Sequence, residues 1–139
     1  ETEIDKTFPT DHLSEENITA ATEDFMGEIS QFPPVFSALK KDGRRLYEFA
    51  RTGEEVEISA RKVHIKEFDI TRIDLPEVDF RVVCSKGTYI RSLAFDFGKA
   101  LNSGAHLSKL RRTRIGNYSV EDAVSLELFE DNLKDLTGL

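Results

Sequence analysis

Residues 85–91 read SKGTYIR, and the interpretation of this short stretch decides the fold. Behind it, VDFRVVC places Val78, Phe80, Val82 and Cys84 on alternate positions, the period of a half-buried strand. Ahead of it, Ile90, Leu93, Ala94, Phe97 and Leu101 follow the one-face spacing of an amphipathic helix. The pattern predicts a strand ending at Cys84, a Ser-Lys-Gly turn, and a helix running from about Thr88 to Leu101. The first turn of a helix exposes unpaired N–H groups and favours acids, yet here Lys86 precedes it and Arg91 lies inside it. Such an end calls for an anion. Phosphate and a carboxylate from another element both satisfy it, and a plain ion pair of Arg91 with a neighbouring acid would satisfy it with no functional meaning.

Working outward, RKVHIKEFDITRI carries Val63 and Ile65, then changes phase to Phe68 and Ile70, which predicts a bulged strand paired with residues 78–84 through the Leu75-Pro76-Glu77 connection. Cys84 continues the apolar face and reads as a packed thiol rather than a reactive one. Ser14 caps a helix whose face is Ile18, Ala21 and Phe25, with Gly27 placed to end it. Asn102-Ser103-Gly104 breaks the helix after SKGTYIR, and AHLSKLRRTRIGNYSV then reads as strand, with Lys109, Arg111, Arg112 and Arg114 close together. Ser125 caps a final helix with Leu126, Phe129, Leu133 and Leu136 at helical spacing.

The segment QFPPVFSALKKDGRRLYEFARTGEEVE, residues 31–57, departs from regular patterning. Pro33 and Pro34 forbid a helix at that point, Asp42-Gly43 signals a tight turn, and residues 45–51 fit a short helix stopped by Gly53. Lys40, Lys41, Arg44, Arg45 and Arg51 alternate with Phe32, Phe36, Tyr47 and Phe49. Cations that meet phosphates and rings that meet unstacked bases are what looped RNA requires. A surface loop pinned by buried rings would carry the same composition.

The chain of 139 residues is 39% hydrophobic, enough for one domain with a core. No apolar run approaches 18 residues, and a single cysteine with His12, His64 and His106 scattered offers no metal-ligand spacing, so a cytoplasmic, metal-free protein is expected. The chain starts at Glu1 and its one methionine is Met26, which suggests a piece of a longer protein. Its net charge of −7 is unevenly spread: residues 1–30 carry −8, residues 31–118 carry +6 and residues 119–139 carry −5. A basic centre is compatible with a polyanion partner because charge acts locally, within roughly 10 Å at moderate salt. Nothing of the form GxxxxGK precedes Lys86, no GxSxG elbow occurs, and Glu15-Glu16 and Glu54-Glu55 lie in polar stretches, so nucleotide hydrolysis and hydrolytic triads are excluded.

The segments QFPPVFSALKKDGRRLYEFARTGEEVEISARKVHI and CSKGTYIRSLAFDFGKALNSGAHLSKLRRTRIGNYSV, followed by EDAVSLE, resemble the bacterial tRNA pseudouridine synthase B (TruB) family over residues 15–130. The resemblance implies an α/β (α+β) domain with a mixed, mainly antiparallel sheet and packed helices, spanning residues 1–139 as part of a pseudouridine-synthase-type fold. It implies a reaction without cofactor on the uridine of the tRNA T-loop (position 55), by a protein that is monomeric when full length. An aspartate attacks the flipped-out uridine, the glycosidic C–N bond breaks, the base rotates and a C–C bond forms. By this resemblance Arg91 pairs with the catalytic aspartate, Tyr89 contacts the target nucleotide and Leu110 lines the uracil pocket. Residues 34–62 resemble a thumb-like loop that closes on the RNA hairpin through Lys40, Lys41, Arg44, Arg45 and Arg51, with Lys86, Arg111 and Arg112 as further RNA contacts.

The departure from the family pattern is the nucleophile. Its GTLDP-type stretch is not among these residues, and Asp24, Asp42, Asp69 and Asp96 stand in other contexts. This chain alone is therefore expected to be inactive, as a portion of the enzyme. A stand-alone RNA-binding module is the competing expectation, and an acidic interaction domain without RNA the third.

Overall fold

The computed structural model describes residues 3–34 and 40–137; Phe36 and the side chain of Leu136 lie outside that range. It divides into two compact units, residues 1–107 and 108–139.

The first unit is organised by strand β4 (Arg61–Asp74), which pairs with β1 (Gly27–Gln31) and β5 (Glu77–Cys84) in the order β1-β4-β5. Every described strand pairing is antiparallel, in keeping with a mainly antiparallel α/β domain. The two neighbours of β4 take different halves of it. β1 pairs with residues 61–65 and β5 with residues 65–74. Two register shifts interrupt the second pairing, one between Ile65 and Glu67 and one between Ile70 and Arg72. Each inserts one residue and flips the alternation. Val63, Ile65 and Phe68 can therefore all be buried, and Ile70 and Ile73 both pack against the core. The first shift is the phase change expected from the sequence; the second is an addition to it.

Helix α1 (Glu15–Ala21) and α3 (Ile90–Ala100) supply the rest of the core. Ser14 caps α1 by accepting from the Asn17 N–H, while Asn17 Oδ1 accepts from the Ser14 N–H, satisfying two donors that the helix start would otherwise leave unpaired. The chain then tightens into a 3-10 turn at Thr22–Phe25, so the α-helix ends earlier than Gly27. Gly27, with φ of 79°, opens β1 instead, a strand the sequence pattern had not disclosed. Ile18, Ile65, Phe68, Leu93 and Phe97 form the buried cluster, with Phe25, Phe80, Val82 and Cys84 packed on it, so Cys84 is a core thiol. The Leu75-Pro76 bond at the β4–β5 turn is cis, and Arg72 beside it is held in its charged form by hydrogen bonds to Asp79 and Glu77.

At the far end of α3, Gly98 lies against the backbone of residues 104–105. A Cβ built there would stand 2.4 Å from the Ala105 nitrogen. Alanine in place of a helical glycine ordinarily gains about 1 kcal/mol. Here the clash is with backbone and wins, so Gly98→Ala should lower stability by about 1–3 kcal/mol, read as a fall in Tm in a calorimetric scan. An unchanged or higher Tm would show that residues 104–105 move aside freely.

In the second unit, residues expected as one strand form only a small hairpin, β6 (Arg114–Ile115) with β7 (Tyr118–Ser119), turning at Gly116 with φ of 56°. Residues 109–113 have no regular structure. Helix α4 (Leu126–Thr137) follows, with the Ser125 hydroxyl accepting from the Leu128 N–H as its cap.

Candidate nucleic-acid interface

The turn after β5 is held from one side by consecutive elements of the sheet. Ser85 continues the pairing of β4 and β5: its N–H donates to the His64 carbonyl at 2.8 Å and its Oγ accepts from the His64 N–H at 2.9 Å. Thr88 Oγ1 then donates to the Ser85 carbonyl at 2.8 Å, closing the turn. Gly87 has φ of 80°, which favours glycine, and the Arg61 guanidinium lies close beside it. Tyr89 is held by the side chain of Gln31, whose Oε1 accepts from the Tyr89 N–H at 3.0 Å and whose Nε2 donates to the Tyr89 carbonyl at 3.2 Å. Ser92 Oγ donates to the Phe32 carbonyl at 2.7 Å.

This holding moves the helix start. Tyr89 is kept extended, with φ −94° and ψ 110°, and serves as N-cap, so α3 begins at Ile90 rather than near Thr88. No side chain caps its first turn and no acid lies in it. Lys86 and Arg91 are both exposed, with Tyr89 half-buried between them. The structure thus brings Lys86, Tyr89 and Arg91 to one cationic, uncapped helix start. Further along α3, burial pushes the Asp96 carboxyl above its ordinary range, opposed by Lys99.

The basic residues between Lys40 and Arg51 form a second group. Strands β2 (Lys40–Lys41) and β3 (Arg44–Arg45) make a two-residue hairpin whose turn, Asp42-Gly43, has φ of 51° and 78°. Positive φ at both central residues matches the twist of a tight hairpin. The pairing sets Lys40 opposite Arg45 and Lys41 opposite Arg44, two like-charged cross-strand pairs. Such pairs are destabilising unless something anionic lies near. Arg44 has its own anion, Glu54 at 2.6 Å, and also lies over the Phe49 ring at 4.3 Å. Lys41 donates to the Glu57 carbonyl. Helix α2 (Leu46–Thr52) follows directly: Glu48 accepts from the Arg45 N–H at 2.8 Å, and Gly53 ends it in the left-handed region. Arg45 and Arg51 flank the Tyr47 ring at 5.9 and 5.0 Å. Lys40, Arg45 and Arg51 are exposed.

Leu110, Arg111 and Arg112 belong to the second unit, where all three are exposed on the irregular segment. Among the described residues no cluster of three or more His, Cys, Asp or Glu could hold a metal ion, and no helix is long and apolar enough to cross a membrane. Gln31 and Arg61 were not singled out by sequence. The available signal was that Gln31 falls in phase with Gly27 and Ile29 on the inward side of β1, where a polar side chain needs a partner.

The tethered turn before α3 and the basic hairpin both fall within residues matched by a known family. Residues 1–90 match the family model described as the N-terminal domain of TruB family pseudouridylate synthases. Residues 91–137 match the model of the C-terminal domain of tRNA pseudouridylate synthase B, and the chain belongs to the TruB family. It is 65% identical to tRNA pseudouridine synthase B of Flavobacterium johnsoniae over 134 residues, covering 96% of this chain and 58% of that protein. The protein of the same name from Phocaeicola vulgatus is 53% identical over 131 residues, covering 94% of this chain and 56% of the relative. The chain therefore spans a little over half the length of these relatives. A chain from a crystal structure of a Cbf5-Nop10-Gar1 complex superposes with a TM-score of 0.69 at 32% identity, covering 91% of this chain and 34% of that one.

Proposed function

We propose that this chain is the portion of a tRNA pseudouridine synthase that holds the T-loop hairpin and supports the active site for conversion of the uridine at position 55. The observation that carries the reading is the uncapped, acid-free start of α3 with Lys86 and Arg91 beside it, in a chain of this family. An aspartate on an upstream segment supplies the nucleophile, and Arg91 pairs with its carboxylate. A charge-assisted pair of this kind keeps the attacking group ionised and oriented. Tyr89 contacts the extruded nucleotide and Leu110 lines the uracil pocket. Flipping the base out of its stack costs a few kcal/mol, which contacts to the surrounding RNA offset. Residues 34–62 make those contacts as a thumb-like element through Lys40, Lys41, Arg44, Arg45 and Arg51, with Lys86, Arg111 and Arg112 adding to the phosphate-binding surface. The reaction takes place in the cytoplasm and needs no cofactor.

The test is binding of a T-loop stem-loop against an unrelated hairpin, titrated by fluorescence anisotropy across salt concentrations. Preference for the T-loop is expected; equal affinity would overturn the reading. The log–log salt slope should fall by about 1.5 when Lys40 and Arg45 are both changed to alanine, since each phosphate contact carries roughly 0.7–0.9. Arg44→Ala should change it less, because Glu54 already sits 2.6 Å from that guanidinium.

The same basic hairpin supports a second reading, an RNA-binding module that works without catalysis. It predicts the same binding but no isomerisation in any longer form of the protein.

A further inference from the structure

We infer that Gln31 is a positioning residue for the uridine chemistry, setting the direction of the Tyr89 side chain and, through it, the start of the helix that bears Arg91. The inference rests on the functional reading above. Gln31 is fully buried, at 0% exposure, in the last position of β1. A buried amide is unfavourable unless its donors and acceptors are used. Here both ends are used on one residue: Oε1 takes the Tyr89 N–H and Nε2 reaches the Tyr89 carbonyl. The side chain thus does for Tyr89 what a neighbouring strand would do, pinning the peptide planes on both sides of its Cα. With both planes pinned, the Cα–Cβ bond of Tyr89 has one direction.

An apolar side chain of the same length would fill the same space and would leave the Tyr89 N–H without its partner. Two neighbouring contacts act on the same segment. Ser92 is tied to the Phe32 carbonyl, one residue after Gln31. Arg61, the cross-strand partner of Gln31, lies against Gly87. Residues 31 and 32 therefore hold 89 and 92, and Tyr89 and Arg91 belong to a segment tied to β1 at two points. Gln31 itself is buried within this support. It acts through Tyr89.

The experiment uses a full-length synthase carrying this segment, with a T-loop transcript labelled with tritium at uracil C5. Gln31→Met keeps length and loses both hydrogen bonds; Gln31→Glu keeps the acceptor for the Tyr89 N–H and sets a second acceptor against the Tyr89 carbonyl. Both should lower kcat by about tenfold or more while KM for the RNA changes less than about threefold, since small misplacements of reacting groups are costly in rate. Amide exchange at Tyr89 should accelerate in Gln31→Met while the amides of β4 and β5 keep their protection, a pattern that a merely structural role would not produce. Should Gln31→Met fail to fold, Ser92→Ala removes only the Phe32 tether and should lower kcat by about threefold at unchanged KM. Wild-type kcat in folded Gln31 variants, or in Ser92→Ala when it stands in for them, overturns the inference. So does a loss confined to Tm. A wild-type enzyme that releases no tritium overturns the functional reading itself.

Discussion

Replacing Phe68 with alanine should remove about 3–5 kcal/mol of folding stability, the usual range for a buried phenylalanine. Phe68 is 5% exposed and its ring meets three others: Phe97 at 5.2 Å, Phe80 at 5.4 Å and Phe25 at 6.3 Å. These rings come from α3, β5 and the 3-10 turn after α1, so the cavity would open where every layer of the first unit converges. A domain of this size has a net stability of roughly 5–15 kcal/mol, which the substitution would reduce by a large share. Urea unfolding followed by circular dichroism should show a lower midpoint at unchanged slope. Phe95→Ala is the control. That ring is 57% exposed on the other side of α3, with Lys99 5.5 Å above it, and its loss should cost less than about 1 kcal/mol. Equal costs at the two positions would show that the core is not organised around Phe68.

The second large effect concerns catalysis. Incubated with tRNA carrying tritium at uracil C5, the 139-residue chain alone should release no tritium above a no-protein control. Forming the new C–C bond displaces the hydrogen of C5, so tritium release reports the completed isomerisation. With the nucleophile on an upstream segment, as proposed above, the covalent route is closed to this chain, and loss of an enzyme's nucleophile can cost about a millionfold in rate. No GTLDP-type stretch occurs in these residues. Release well above the control would mean that an aspartate within this chain reacts, and Asp24, Asp42, Asp69 and Asp96 would each have to be tested by substitution with asparagine.

What could be read from sequence was whatever left a local trace. The alternation of Val78, Phe80, Val82 and Cys84 and the phase change at Phe68 yielded β5 and the first bulge, because burial on one sheet face is written at period two. The caps at Ser14 and Ser125 and the stop at Gly53 were visible because cap chemistry is local. β1 was not visible: GEISQ contains one large apolar residue, and its strand geometry comes from its pairing with residues 61–65. The first residue of α3 was displaced by two positions because Gln31, 58 positions away, holds Tyr89 extended. The cations of SKGTYIR were legible as a question about an anion. The grip of Gln31 on that turn depends on tertiary structure alone.

The division of β4 between its two neighbours has an outcome at the level of inherited variation. Arg61 and His64 lie beside the turn that presents Tyr89 and Arg91, whereas residues 67–74 pair only with β5 and serve the core or the charged outer face. The first half thus serves both the site and the core, and the second serves folding alone, though the two lie on one continuous strand. Drift on the exposed charged face of the outer hairpin, at Arg72, Asp74, Glu77 and Asp79, can therefore accumulate without passing through the chemistry, and a lineage can alter one trait while the other is preserved.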